Sequence, residues 1–192
     1  MDYTDYLMMY KKVEPTEFQN KFNGFTFRKF DGTESDIKLW YEICKCGIIR
    51  DDETLESSYK TRLIEHTGYN PDTIFFVMLD NKEVATVTAL TEENGTGWLH
   101  MVTAKPEARG KGVAKYLISI AEAAIYKAGM EKILLQTKEF RAVAIKAYLR
   151  AGYKPMLYTN EMESRWSAFL KEYGYSDIDA VDENGNFIKK IN

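Results

Sequence analysis

The sequence predicts an α/β (α+β) fold, a mixed central sheet of about six or seven strands flanked by helices, and three observations carry that prediction. Three strand-like runs, residues 73–79, 83–90 and 98–104, follow one another across short turns. The third passes through a glycine-rich turn straight into a helix, where Ala114, Leu117, Ile118, Ala121, Ala124, Ile125 and Ala128 recur at helical spacing and Gly129 supplies the stop. Residues 132–137 and 141–153 then read as a further strand and helix, so an antiparallel start continues as β-α-β-α and makes the sheet mixed.

Taken in order, residues 1–23 are an aromatic-rich leader without clear periodicity. Residues 24–30 alternate apolar and polar as a half-buried strand does, and Asp31-Gly32 turns the chain. Thr33 with Asp36 forms a capping arrangement, ahead of a helix whose apolar stripe is Ile37, Trp40, Tyr41, Cys44 and Ile48. A second helix, about 54–66, carries Leu55, Tyr59 and Leu63 on one side. Asp80-Asn81 joins two strands, and Asn94-Gly95 marks a hairpin into the central strand because this dipeptide readily takes positive φ. Beyond Tyr158, residues 161–172 read as a helix and 181–191 as a hairpin around Asn184-Gly185.

The turn Arg109-Gly110-Lys111-Gly112-Val113-Ala114 is where chemistry is expected. Glycines and a basic residue at the start of a helix point backbone N–H groups outward at its positive end, a seat for a pyrophosphate. A P-loop is excluded because Gly112, not Ser or Thr, follows Lys111. A dinucleotide fingerprint is excluded because Lys115 stands where the third glycine or alanine belongs.

What remains is Arg-x-x-Gly-x-Ala, and here the chain resembles the GNAT superfamily of acyl-CoA-dependent N-acetyltransferases. Residues 141–153, Arg-Ala-Val-Ala-Ile-Lys-Ala-Tyr-Leu-Arg-Ala-Gly-Tyr, resemble the second motif of that family. The resemblance covers roughly residues 24–158. It implies the GNAT fold, with residues 1–23 as a leader and 159–192 as a C-terminal helix and tail packed on the same domain. It also implies acetyl-CoA as the acyl-donor cosubstrate, its pyrophosphate held by Arg109, Gly110, Lys111, Gly112, Val113 and Ala114.

The backbones of Met101, Val102 and Thr103 would then bind the pantetheine arm and the carbonyl oxygen, at a bulge of the central strand, in the manner of an oxyanion hole. Tyr148 would be the general acid for the leaving thiolate, its ordinary pKa of ~10 keeping the proton available. The competing reading of Tyr148 is a core aromatic on an amphipathic helix. His100, shortly before the turn, is a candidate base for the acceptor ammonium or a buried histidine satisfied by a carbonyl. His66, at a helix end, reads as a C-terminal cap. Glu139, Glu163 and Arg165-Trp166 are placed toward the acceptor, and packing and surface charge explain them equally well. Arg141 departs from the family's usual asparagine, so the side-chain contact to the pantetheine is not carried over from the family, and Arg141 stays a lesser candidate there.

Composition bounds the rest. The 192 residues, 45% hydrophobic and 14% aromatic, suffice for one packed core, and 26 basic against 29 acidic residues give a net charge of −3. That balance speaks against nucleic acid or an anionic membrane as partner. Cys44 and Cys46, two apart in a helix, with two histidines elsewhere, form neither a zinc site nor a disulfide framework, so no metal is expected. An acidic start and the lack of a long apolar run make a cytoplasmic location the default. The expected activity is transfer of an acetyl group to a small-molecule primary amine by direct attack in a ternary complex. The alternative is a non-catalytic acyl-CoA-binding or protein-interaction module. A homodimer through the C-terminal tail is left open.

Overall fold

The computed structural model describes residues 6–192; the first five residues of the leader lie outside the described residues. In chain order the elements are β1 (Leu7–Lys12), β2 (Thr26–Lys29), α1 (Glu34–Lys45), α2 (Leu55–Tyr59), a π-helical turn (Lys60–Ile64), β3 (Ile74–Leu79), β4 (Lys82–Thr91), β5 (Thr96–Ala104), α3 (Val113–Lys127), β6 (Lys132–Thr137), α4 (Ala142–Arg150), β7 (Lys154–Pro155), α5 (Met162–Glu172), β8 (Ile178–Val181) and β9 (Phe187–Ile191). They divide into two compact units, Val13–Glu131 and the N-terminal strand with Lys132–Asn192.

In the unit Val13–Glu131, β2, β3, β4 and β5 pair antiparallel in that order. Asp80 and Asn81 both take positive φ, 50° and 60°, the backbone that a two-residue hairpin needs to follow the strand twist. At the next turn only Gly95 does so, with φ of 80°, and its N–H donates to the Glu92 carbonyl, so this hairpin closes with a longer loop than Asn94-Gly95 alone. One sheet face packs on α1 and the π-helical turn through Trp40, Ile43, Cys44, Leu63, Ile74, Phe76 and Met101. α3 packs on β3, β4 and β5, burying Val113, Tyr116, Leu117, Ile118, Ile120, Ala121 and Ile125. Burial of such a side chain contributes about 1.5–3 kcal/mol over leaving it exposed, and this stripe is what holds the helix. Residues 18–25 lie against the same helix: Phe22 stacks on Tyr116 at 5.9 Å, and the Tyr116 hydroxyl donates to the Gln19 carbonyl at 2.7 Å.

In the other unit β1 lies between β6 and β7, antiparallel to both. The leader, read from sequence as lacking periodicity, thus contributes an inner strand. Leu7, Met8 and Met9 are all fully buried, so consecutive apolar residues replace the alternation that marks a half-exposed strand. α4 ends at Gly152, with φ of 86°, and the Tyr153 N–H reaches back to the Tyr148 carbonyl at 3.0 Å. The buried faces of α5, Met162, Trp166, Phe169 and Leu170, and the antiparallel hairpin of β8 and β9 complete the unit. Seven sheet strands, four in one unit and three in the other, with helices packed on them, match the α/β class and the strand number predicted.

Candidate functional site

The central strand β5 is bulged where expected. Thr88 of β4 stands opposite His100 and Thr86 opposite Thr103, so Val87 faces both Met101 and Val102. Met101 takes φ of 49°, a left-handed conformation that a methionine adopts only when its surroundings impose it. Such a bulge leaves a residue out of the ladder and re-aims the strand beside it. Met101 and Thr103 are buried, and Val102 is partly exposed.

After β5, Pro106–Ala108 make one 3-10 turn, Gly110 takes φ of 76°, and Gly112 takes φ of 88° as the residue that opens α3. Among the described residues no side chain caps the N-terminus of α3. The N–H groups of its first turn have no carbonyl a turn earlier in the helix, which leaves them to an external anion. A β-carbon at Gly110 would meet nothing within 4 Å; one at Gly112 would lie 3.3 Å from the Phe22 ring and 3.4 Å from the Asn23 amide. Lys111 and Arg109 are both exposed and Val113 is buried. Arg109 is committed elsewhere: Nη2 donates to the Cys46 carbonyl at 2.5 Å and Nε to the Ala104 carbonyl at 3.2 Å.

His100 and His66 come together. Their ring centroids are 4.4 Å apart at 51°, and His100 Nε2 lies 2.7 Å from the Arg62 carbonyl in the π-helical turn. A carbonyl only accepts, so Nε2 carries the hydrogen and the neutral ring keeps its lone pair on Nδ1. Burial, then the neighbouring His66 and Arg62, push the His100 pKa down to about 4, against a smaller upward effect of the Arg62 carbonyl. His66 is held below the ordinary histidine range chiefly by burial and then by Arg62, with Glu92 opposing. The cap expected of His66 is therefore not what its side chain does: the ring rests on His100. Sequence reasoning had no means to pair the two, because only the fold brings the π-helical turn onto β5.

In the other unit, Tyr148 lies in α4, 7% exposed, with its ring edge-on to Tyr153 at 5.9 Å. Burial pushes its pKa up to about 12, partly offset by Arg141, so the phenol keeps its proton. The weaker sequence candidates divide. Trp166 is fully buried and belongs to the core. Glu163 is paired with Lys189 at 2.7 Å. Arg165 Nε donates to Glu139 Oε1 at 2.6 Å, and the pair sits in a cavity of about 430 Å³ that Phe140, Phe169 and Tyr173 also line.

A model of the acetyltransferase (GNAT) family matches residues 37–153. Among solved structures, the chain is similar to a GCN5-related N-acetyltransferase from Sphaerobacter thermophilus, 21% identical with a TM-score of 0.63 over 78% of this chain and 48% of that one. It is also similar to a GCN5-related N-acetyltransferase from Kribbella flavida, 14% identical with a TM-score of 0.55 over 78% of this chain and 54% of that one. A third is the ribosomal-protein-S18-alanine N-acetyltransferase from Escherichia coli, 16% identical with a TM-score of 0.54 over 67% of this chain and 76% of that one. At these identities the likeness is one of fold, and the chain spans about half the length of the first two. No curated protein sequence matches.

Proposed function

The chain belongs to the acetyltransferase (GNAT) family, and from that premise we propose that it transfers an acetyl group from acetyl-CoA to the primary amine of a small molecule by direct attack in a ternary complex. The observation that carries this reading is the uncapped, glycine-opened N-terminus of α3 immediately after a bulged strand. Gly110, Lys111, Gly112, Val113 and Ala114 would hold the pyrophosphate through backbone N–H groups, helped by the Lys111 charge. Arg109 contributes its backbone here, since its side chain already serves the Cys46 and Ala104 carbonyls. Met101, Val102 and Thr103 offer the re-aimed backbone for the pantetheine arm and the thioester oxygen.

The step balances simply. The amine nitrogen forms a bond to the thioester carbon, the carbonyl oxygen takes up negative charge, and the C–S bond then breaks. A neutral imidazole would take the proton that the ammonium loses before attack. Tyr148, which holds its proton well above neutrality, would give that proton to the departing thiolate, and the second proton shed by the nitrogen as the amide forms would restore the phenol through water. The same reading keeps the location cytoplasmic. Among the described residues no helix is long and apolar enough to cross a membrane.

The commitment of His100 Nε2 to the Arg62 carbonyl at 2.7 Å favours the second reading, a module that binds acyl-CoA without turning it over. Calorimetric titration with acetyl-CoA, coenzyme A and ATP, on the native chain and on Lys111→Glu, tests the premise of both. The expected result is binding of the two CoA compounds over ATP, weakened ~10-fold by the charge reversal at an exposed site. A folded chain that binds none of them would end the proposal. Amine-dependent release of free thiol then separates transfer from mere binding.

A further inference from the structure

We propose that His66 is the proton acceptor for the amine, with His100 as the positioning residue that sets it against the central strand. The proposal rests on the acetyl-transfer reading and names a residue of the same site. Its ground is the division of labour between the two rings.

His100 is occupied. Its only N–H is given to the Arg62 carbonyl, and its surroundings resist a positive charge. What that bond accomplishes is structural: it ties the π-helical turn, two residues before His66, to β5. His66, by contrast, has no hydrogen-bond partner for either ring nitrogen among the described residues, and part of its surface reaches solvent. It packs on His100 at 4.4 Å, so its position is fixed without the use of its nitrogens. An ordered ring with unused nitrogens is what a proton acceptor requires, and a purely structural histidine would have spent one.

Two further observations fit. Thr88, directly across the ladder from His100 and fully buried, has a hydroxyl without a partner among the described residues, so polar capacity collects on this face of β4 and β5. The helix also departs from α geometry at Lys60–Ile64, immediately before His66, and such π-helical turns recur at functional positions. The charged and titratable groups facing His66 are Arg62, which disfavours its cation, Glu92, which favours it, and His100, whose own cation the charged His66 disfavours. In the step itself the ammonium N–H bond breaks, its electron pair stays on the amine nitrogen, and the proton goes to the unprotonated ring nitrogen of His66, then to water.

The chain has only two histidines, so a proton–carbon NMR titration of the imidazoles shows two signals and needs no turnover. Both are expected to titrate below the ordinary value of 6.5, His66 first and His100 only near 4. In His66→Gln the His100 value should rise, because a positive neighbour has gone. In the acetyl-transfer assay, the acid limb of kcat/KM should follow the His66 value. His66→Gln should lose that limb and at least ~10-fold in kcat with acetyl-CoA affinity unchanged, and His100→Gln should displace the limb without abolishing it. A His66→Gln enzyme that keeps both limb and kcat overturns the assignment while leaving acetyl transfer intact. A native chain that neither binds acetyl-CoA nor turns over any amine overturns acetyl transfer, and the role of His66 with it.

Discussion

Gly97 of β5 lies so close beneath Ile125 of α3 that a β-carbon at that position would stand 2.4 Å from Ile125 Cγ2. Ile125 is fully buried and cannot swing aside. Gly97→Ala should therefore push α3 off the strand and cost about 1–3 kcal/mol through overpacking. Gly129→Ala is the comparison: its β-carbon would meet nothing within 4 Å, and only its φ of 74° resists, at about 1 kcal/mol. Urea midpoints of the two variants should rank in that order. Equal losses would mean that backbone conformation, not the approach of helix to strand, governs both.

Asp36 accepts two hydrogen bonds from the Arg28 guanidinium, at 2.7 Å each, and a third from the Asp31 N–H at 2.9 Å. Arg28 foremost holds the carboxyl below its ordinary 3.8, against the opposing effect of burial. The folded state then binds this proton less tightly than the unfolded chain. The stabilisation is complete above the unfolded value and disappears as pH falls through the lower folded value. Asp36→Asn should cost about 2 kcal/mol at neutral pH and progressively less under acid conditions below pH 3.8, measured by urea midpoints at several pH values. A cost independent of pH would show that the carboxylate charge is not what the variant removes.

The parts of this fold that were legible in the sequence are those written in local chemistry. The strand, glycine turn and helix around Gly110 and Gly112 could be read because period and φ requirements act within a few residues. Residues 132–137 were read with the boundaries that β6 has. β1 was not legible, since Leu7, Met8 and Met9 are buried on both sides and lose the alternation that signals a strand. The helix expected at about 54–66 was found, but its change of pitch at Lys60–Ile64 was not foreseen. No breaker marks that stretch, and one of its carbonyls, that of Arg62, is held by a histidine far along the chain. For the same reason His66 read as a cap. The bulge at Met101 and the role proposed for Tyr148 came from family resemblance, not from any local signal.

Replacing Tyr148 by Phe keeps a ring that is almost entirely buried and removes one hydroxyl. The thermal midpoint and acetyl-CoA affinity should stay near native values, while kcat falls by ~10²-fold if the phenol protonates the thiolate. Because burial carries the pKa to about 12, the native phenol remains protonated through mildly alkaline conditions and should impose no loss of rate there. Unchanged kcat in Tyr148→Phe would return this residue to the core.

Arg109 and Lys111 should separate into different kinds of residue although both are basic and both lie in the turn. The Arg109 guanidinium donates to the carbonyl of Cys46, at the C-terminus of α1, and to that of Ala104 at the end of β5. A cation there offsets the negative end of the helix dipole and satisfies carbonyls that the helix leaves open. Arg109→Ala should therefore cost about 1 kcal/mol of stability, read as a lower urea midpoint, and weaken acetyl-CoA by a factor that salt hardly changes, since the loss lies in the shape of the turn. Lys111 makes no such tie. Lys111→Glu should leave the midpoint where it is and weaken acetyl-CoA most at low ionic strength, because an exposed charge acts through a field that salt screens. If the two variants showed the same salt dependence, Arg109 would be a ligand for the pyrophosphate, and its bonds to Cys46 and Ala104 would have to give way when CoA binds.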